Sequence, residues 1–197
     1  VTDWSDLVGP AEEVAPRLLG YVLRKGDVAV RITEVEAYAG ADDPGSHAYR
    51  GRTPRTDVMF GPPGRLYCYL SYGMHVCANV VVGEPGTASA VLLRAGEVVD
   101  GLGVARSRRP GVLDRQLARG PALLCRTLDV TLEDGGTWLA GGVVRLEQGE
   151  ASGPVMAGPR TGLRLAPDRP WRFWLAGDPT VSAYRRHPRA VSHHPDL

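Results

Sequence analysis

The stretch VAVRITEVEAYAG, Val28 to Gly40, decides how this chain is read. It follows a turn signal, Lys25-Gly26-Asp27, and over Val28–Tyr38 its residues alternate with period two, as a β-strand requires. The even positions are Val28, Val30, Ile32, Glu34, Glu36 and Tyr38. The odd positions are Ala29, Arg31, Thr33, Val35 and Ala37. Alternation puts each set on one face, provided that the strand carries no bulge. The even face then changes from aliphatic to carboxylate after Ile32. Two readings stay open at this point. Either the strand runs out into solvent with both glutamates on the surface, or the carboxylates are buried and each needs a partner or a task.

Working outward, residues 11–24, AEEVAPRLLGYVLR, read as a helix that starts with Glu12 and Glu13 and is limited by Pro16 and Gly20. Residues 39–64 form a long loop rich in Gly, Pro, Asp and Arg, a length more often functional than idle. Arg65–Leu70 and His75–Val82 read as a β-hairpin with Tyr72-Gly73 at its tip. A strand is expected at Ala88–Arg94, and a short helix over 97–109 ending in Arg106, Arg108 and Arg109. Pro121 opens a second helix through LLCRTL. Further strands are expected at Trp138–Leu146 and Trp171–Leu175. With no repeat or linker visible, the chain reads as a single domain over residues 1–197, mixed α/β with a largely antiparallel sheet.

Composition narrows the classes. In 197 residues, 43% hydrophobic and 23% charged content belongs to a globular chain, not a disordered or fibrous one. No apolar run is long enough to span a bilayer, and VTDWSDLVGP lacks the pattern of a signal peptide. Little chain precedes Gly9, so no long N-terminal extension is expected. Cys68, Cys77 and Cys125 have no metal-type spacing and suit reduced thiols in a cytosolic protein; no metal site is expected. The net charge of +1 hides a basic middle: residues 51–126 carry five acids and ten bases. That excess suits a polyanion such as DNA as readily as a solvated surface. Lys25 is the single lysine, the other 22 bases being arginines, so amine chemistry would rest on Lys25 or the N-terminus.

The motifs downstream of the strand come in a particular order. TEVEAYAG is followed by His47 within GSHAYRGRTPR, then MFGPPGRLYCYLSYGMHVCANV and AVLLRAGE. GPALLCRTL, PRTGL and RFWLAGDPTVS follow. Together, from about Leu18 to Ser182, the set resembles the alkyladenine (3-methyladenine) DNA glycosylase family of base-excision repair. The resemblance implies a curved, largely antiparallel sheet with flanking helices and a protruding hairpin. It also implies a monofunctional hydrolase of the N-glycosidic bond of alkylated or deaminated purines, with no cofactor. The partner would be double-stranded DNA with a damaged purine, flipped out of the stack. A monomer in a bacterial cytoplasm, acting at the nucleoid, is the expected setting.

Residue by residue, the resemblance implies that Glu36 is the general base that activates water. Arg94 would hold that water and the phosphate side of the nucleotide, and Thr161 would meet the water through its main-chain carbonyl. Tyr38 and Tyr69 would sandwich the base, His47 would address the purine, and Asn79 would police its size. Tyr72 would intercalate into the duplex, with Met74 and His75 as flanking wedge candidates. Glu34 does not match the catalytic position and reads as support.

Arg50, Arg52, Arg55, Arg106, Arg108 and Arg109 are phosphate-contact candidates on charge alone, not by resemblance. The chain departs from the family where Leu123 replaces a frequent basic residue, Arg126 a frequent glutamine, and Trp174 other residues. These departures put a phosphate contact at the start of that helix in doubt and imply only packing effects at Trp174. Two other classes compete. A non-catalytic nucleic-acid-binding module has no use for Glu36 and Arg94, and a small-molecule N-glycosidase has none for Tyr72.

Overall fold

In a computed structural model, which describes residues 4–191, strand β2 spans Val28–Tyr38, the predicted limits. Around it lie β1 (Val22–Lys25), β3 (Leu66–Ser71), β4 (His75–Val81), β5 (Ala90–Asp100) and β6 (Ala118–Arg119), with β7 (Val144–Glu147), β8 (Val155–Gly158) and β9 (Arg172–Leu175). The helices are α1 (Ala11–Val14), α2 (Leu102–Arg108) and α3 (Pro121–Leu128). The sheet runs β3-β4-β5-β2-β1-β7, with β6 on β5 and β9 joining β2 to β8. The strand pairs are all antiparallel. This is the expected mixed α/β architecture with its projecting hairpin.

β2 is the strand on which the sheet turns. One edge pairs with β5 along nearly its whole length. The other edge changes partner, from β1 as far as Arg31 to β9 over Glu34–Glu36. The change of partner coincides with a bulge. Ile32 faces Gly96 and Glu34 faces Ala95, leaving Thr33 as an extra residue; Arg94 is then extra on β5 before Val35 faces Leu93. An inserted residue shifts the alternation by one. Accordingly Val28, Val30 and Ile32 lie in the main core before the bulge, and Val35 and Ala37 after it. The sequence expectation of one continuous even face is therefore corrected. Glu34 and Glu36 stand on the side opposite Ile32, yet both are fully buried, which overturns the solvent reading.

Other expectations shift for physical reasons. The helix over 11–24 shortens to α1 and a 3-10 turn, Ala15–Leu18, containing Pro16, and Val22–Lys25 is a strand. Proline supplies no N–H to continue a helix, and β2 and β7 offer β1 a paired edge on each side. β5 runs on to Asp100 because Ala29–Ile32 of β2 pair with its second half, so α2 starts only at Leu102. Of Trp138–Leu146 only the end is strand; Trp138 forms an isolated β-bridge with Arg65. β6 and β8 went unrecognised: one is two residues long, and the other has no alternating buried residues.

The main core lies where α1 and α3 cover the sheet, joining Leu7, Leu18 and Leu19 to Leu23, Leu93, Leu124 and Leu128. A smaller cluster, Ala48, Met59, Tyr67, Val81, Ala88 and Ala90, lies beneath the 39–64 loop, which is folded over the sheet. The three cysteines are free thiols, and burial pushes Cys68 up to about 12. No helix of the described residues is long and apolar enough to cross a membrane, and no cluster of metal-ligating residues occurs among them.

Candidate active site

The bulge delivers both glutamates to one arginine. Arg94 Nε donates to Glu34 Oε1 at 2.9 Å, and its Nη1 lies 3.3 Å from Glu36 Oε1. Glu34 is further held by Arg172 Nε at 2.6 Å, by the Ser182 backbone N–H at 2.7 Å, and by the Ser182 hydroxyl at 3.0 Å. Burial pushes the Glu34 carboxyl up, but the charges of Arg94 and Arg172 and these hydrogen bonds outweigh it and hold the pKa below 4.5. Arg94 loses hydration on burial, yet Glu36 and Glu34 raise its pKa well above the ordinary value. Two carboxylates and two guanidiniums thus balance in one buried cluster, as a buried charge set must. The Arg172 guanidinium also lies 4.5 Å over the Trp174 ring, a packing role for that departure from the family pattern.

Glu36 has different company. Its Oε1 accepts from the Thr161 backbone N–H at 2.6 Å, and its Oε2 accepts from the Tyr38 hydroxyl at 2.8 Å. Among the described residues the Thr161 hydroxyl is buried without a partner, and the main-chain contact at this residue is the N–H to Glu36, not the carbonyl that the resemblance implied. Burial first, and the adjacent Glu36 charge second, raise the Tyr38 phenol well above 10, which keeps it a donor.

Behind Tyr38 lies a pair that sequence reasoning missed. Arg160 and Asp43 are fully buried and joined by two bonds of 2.5 and 2.7 Å; Arg160 also donates to the Ala37 carbonyl at 2.9 Å. Its guanidinium lies 4.7 Å from the Tyr38 ring centre and 5.2 Å from that of Trp171. The only available signals were an arginine within PRTGL and an aspartate within ADDPG, and neither local pattern says that the two meet. Gly40 lets the chain turn directly after Tyr38, at φ +61, where a Cβ would collide with the Ala88 carbonyl.

Tyr38, His47, Tyr67, Tyr69, Asn79 and Met59 line a narrow aromatic pocket of about 80 Å³. The His47 ring stands edge-on to Tyr69, centroids 4.5 Å apart, and its Nδ1 lies 3.2 Å from the Tyr67 hydroxyl. Partial desolvation, then repulsion from Arg55, holds His47 below 6.5, so the neutral ring prevails near pH 7. The Asn79 amide donates to the Tyr67 carbonyl at 3.0 Å, which fixes its orientation. Sequence reasoning had passed over Tyr67.

The pocket opens into a cleft of about 600 Å³ that runs past Glu36, Arg94 and Thr161 to Tyr72 and Gly73. Tyr72 is 85% exposed and Met74 69% exposed; His75 is exposed beside them. Tyr72 takes the unusual φ of 51° and Gly73 a φ of 71° in the turn between Ser71 and His75.

The proposed phosphate arginines separate. Arg55 lines the cleft, 5.5 Å over Tyr69, and Arg50 is exposed. Arg52 pairs with Asp57 and Arg106 with Asp114, while Arg108 and Arg109 donate to backbone carbonyls at Thr127, Gln116 and Leu117. The last two therefore brace the region around α3.

The sequence model of the methylpurine-DNA glycosylase family matches residues 5–179. A relative from Frankia casuarinae is 54% identical over 91% of this chain and 92% of its own length. One from Nocardia farcinica is 54% identical over 96% and 94%, and one from Mycobacterium leprae 51% over 89% and 86%. Each of the three bears the name "Putative 3-methyladenine DNA glycosylase". The family match spans most of the chain and includes the strand, the hairpin and the loop that meets Glu36, and the chain belongs to the methylpurine-DNA glycosylase family.

Proposed function

We propose that this protein is a monofunctional DNA glycosylase that takes an alkylated or deaminated purine out of double-stranded DNA and hydrolyses its N-glycosidic bond, leaving an abasic site. The observation that carries this reading is the placement of Glu36, a fully buried carboxylate in a cleft between an aromatic pocket and an exposed tyrosine tip. Departure of a purine from deoxyribose leaves a sugar with oxocarbenium character. Glu36 serves as general base toward water and as the negative charge facing that cation. Thr161 and Tyr38 hold its two oxygens in place, and Arg94 sits where it can orient water and the nucleotide's phosphate side.

Tyr38 and Tyr69 receive the base between electron-rich faces, which favour a cationic alkylated purine. Neutral His47 presents a ring N–H or a lone pair to the purine edge, and Asn79 limits what fits. Tyr72 enters the duplex and replaces lost stacking, with Met74 and His75 beside it. Lys25 Nζ is held by Asp134 at 2.7 Å and by the Asp129 carbonyl at 2.6 Å, an engagement that supports hydrolysis without an amine nucleophile. We read the protein as a monomer that works in the bacterial cytoplasm.

Glu36→Gln tests the reading. Base release from methylated duplex DNA should fall by at least about a thousandfold while binding to the same DNA stays within a few-fold of wild type. Unchanged release would remove Glu36 from the mechanism. A non-catalytic DNA-binding module would show no release in either protein.

A further inference from the structure

We propose that a second cleft, formed by Arg119, Arg185 and Ser182 beside Arg94, is a subsite for one backbone phosphate of the DNA strand that carries the flipped nucleotide. The inference rests on the glycosylase reading for the identity of the strand. Its own support is geometric. The cleft, about 390 Å³, is lined by Arg94, Arg119, Gly120, Thr161, Ser182, Ala183 and Arg185, with no carboxylate among them. Arg94 and Thr161 also line the cleft that holds Glu36 and Tyr72, so the two spaces adjoin across those residues.

The arginines here are in different states of engagement. Arg94 is committed to Glu34 and Glu36. Arg119 is anchored by one edge only: its Nε donates to the Val181 carbonyl at 2.8 Å, and it forms no ion pair with a carboxylate among the described residues. Arg185 is exposed and likewise forms no such pair among them, while its carbonyl accepts the Gly162 N–H at 2.8 Å. That bond ties Arg185 to the loop whose Thr161 amide holds Glu36.

A guanidinium fixed at one edge keeps its other N–H groups aimed outward in a planar fork, the geometry that matches a phosphate's two oxygens. Most other arginines considered for phosphate binding pair with carboxylates or brace backbone carbonyls. Leu123, in the first turn of α3 that follows Gly120, contributes no charge, so beside Gly120 the cleft takes its positive charge from Arg119.

The test is a phosphate walk. A duplex carrying a tetrahydrofuran abasic analogue is made with a single neutral methylphosphonate at each position flanking the analogue in turn. Its binding is measured for wild type, Arg119→Ala and Arg185→Ala. Arg119→Ala should weaken binding about tenfold at 0.1 M salt and reduce the slope of log affinity against log salt by about one. One methylphosphonate position should weaken wild type but leave Arg119→Ala unaffected. Arg185→Ala, an exposed change with no folding burden, should be blind to the same position. The maximal rate of base release from methylated DNA at saturating protein should stay within about twofold for both. An unchanged salt slope and an unchanged walk in both variants would overturn the subsite. A walk as expected from a wild-type protein that releases no base would support the subsite and sink the glycosylase reading instead.

Discussion

The Thr161 backbone N–H donates to Glu36 Oε1 at 2.6 Å, while the Tyr38 hydroxyl donates to Oε2 at 2.8 Å. One carboxylate thus joins a loop 125 residues away to the wall of the aromatic pocket. Because Tyr38 also rests on the Arg160 guanidinium, Glu36 and the pocket wall are positioned by one connected set of contacts.

Tyr38→Phe separates the two duties of that ring. It keeps the wall and deletes the hydrogen bond to Glu36. A hydrogen bond to a charged group is worth about 1.5–3 kcal/mol, so single-turnover base release should fall roughly tenfold to a hundredfold. Affinity for lesion DNA should change little. Equal loss of binding and rate would show that the hydroxyl serves the substrate rather than Glu36.

Glu34→Gln should cost stability before it touches chemistry. The change leaves the buried Arg94 and Arg172 with one carboxylate fewer, at about 3–5 kcal/mol. The pH dependence follows from the lowered pKa. A carboxylate with a depressed folded-state pKa stabilises the protein above its unfolded value, here 4.5, and that contribution drains away as pH falls toward the folded value. Urea denaturation between pH 7 and pH 3 should therefore show a steeper acid loss in wild type than in Glu34→Gln. Parallel acid limbs would mean that Glu34 is no more favoured in its charged form by folding than by water.

Asp43→Asn leaves Arg160 buried without its counter-ion and should destabilise by about 3–5 kcal/mol, read as a fall in Tm. The double variant Asp43→Asn/Arg160→Met removes both charges and should recover part of that loss. A single variant as stable as wild type would show that hydration, not Asp43, satisfies Arg160.

Tyr72→Ala should leave stability within about 0.5 kcal/mol, because an exposed side chain at a turn is not packed. Binding to lesion duplex should weaken by roughly 1–3 kcal/mol, the usual worth of stacking one base on an aromatic ring. Binding to a free purine should be unaffected. A large fall in Tm would assign Tyr72 to folding instead.

Much of this was legible in the chain. The limits of β2, the Gly26-Asp27 turn, the hairpin tip and the start of α3 at Pro121 all follow from local rules of alternation and turn chemistry. The gathering of Tyr38, His47, Tyr69 and Asn79 in one pocket matches the set named from the ordered motifs. Arg160, Asp43, Arg172, Tyr67 and Ser182 were not legible, because what distinguishes each is a partner far along the chain.

The amino-acid sequence alone determined that Val28–Tyr38 would be a strand and that its carboxylates would come at alternate positions. It could not say which way they point. Alternation is a local property, whereas a bulge arises only when a second strand is paired alongside and one residue has no counterpart there. The pairing of β2 with β5 leaves Thr33 unmatched, moves the core to the odd positions, and turns Glu34 and Glu36 away from Ile32. The tertiary structure then divides the pair: Glu34 meets two arginines and Ser182, and Glu36 meets Thr161, Tyr38 and the cleft.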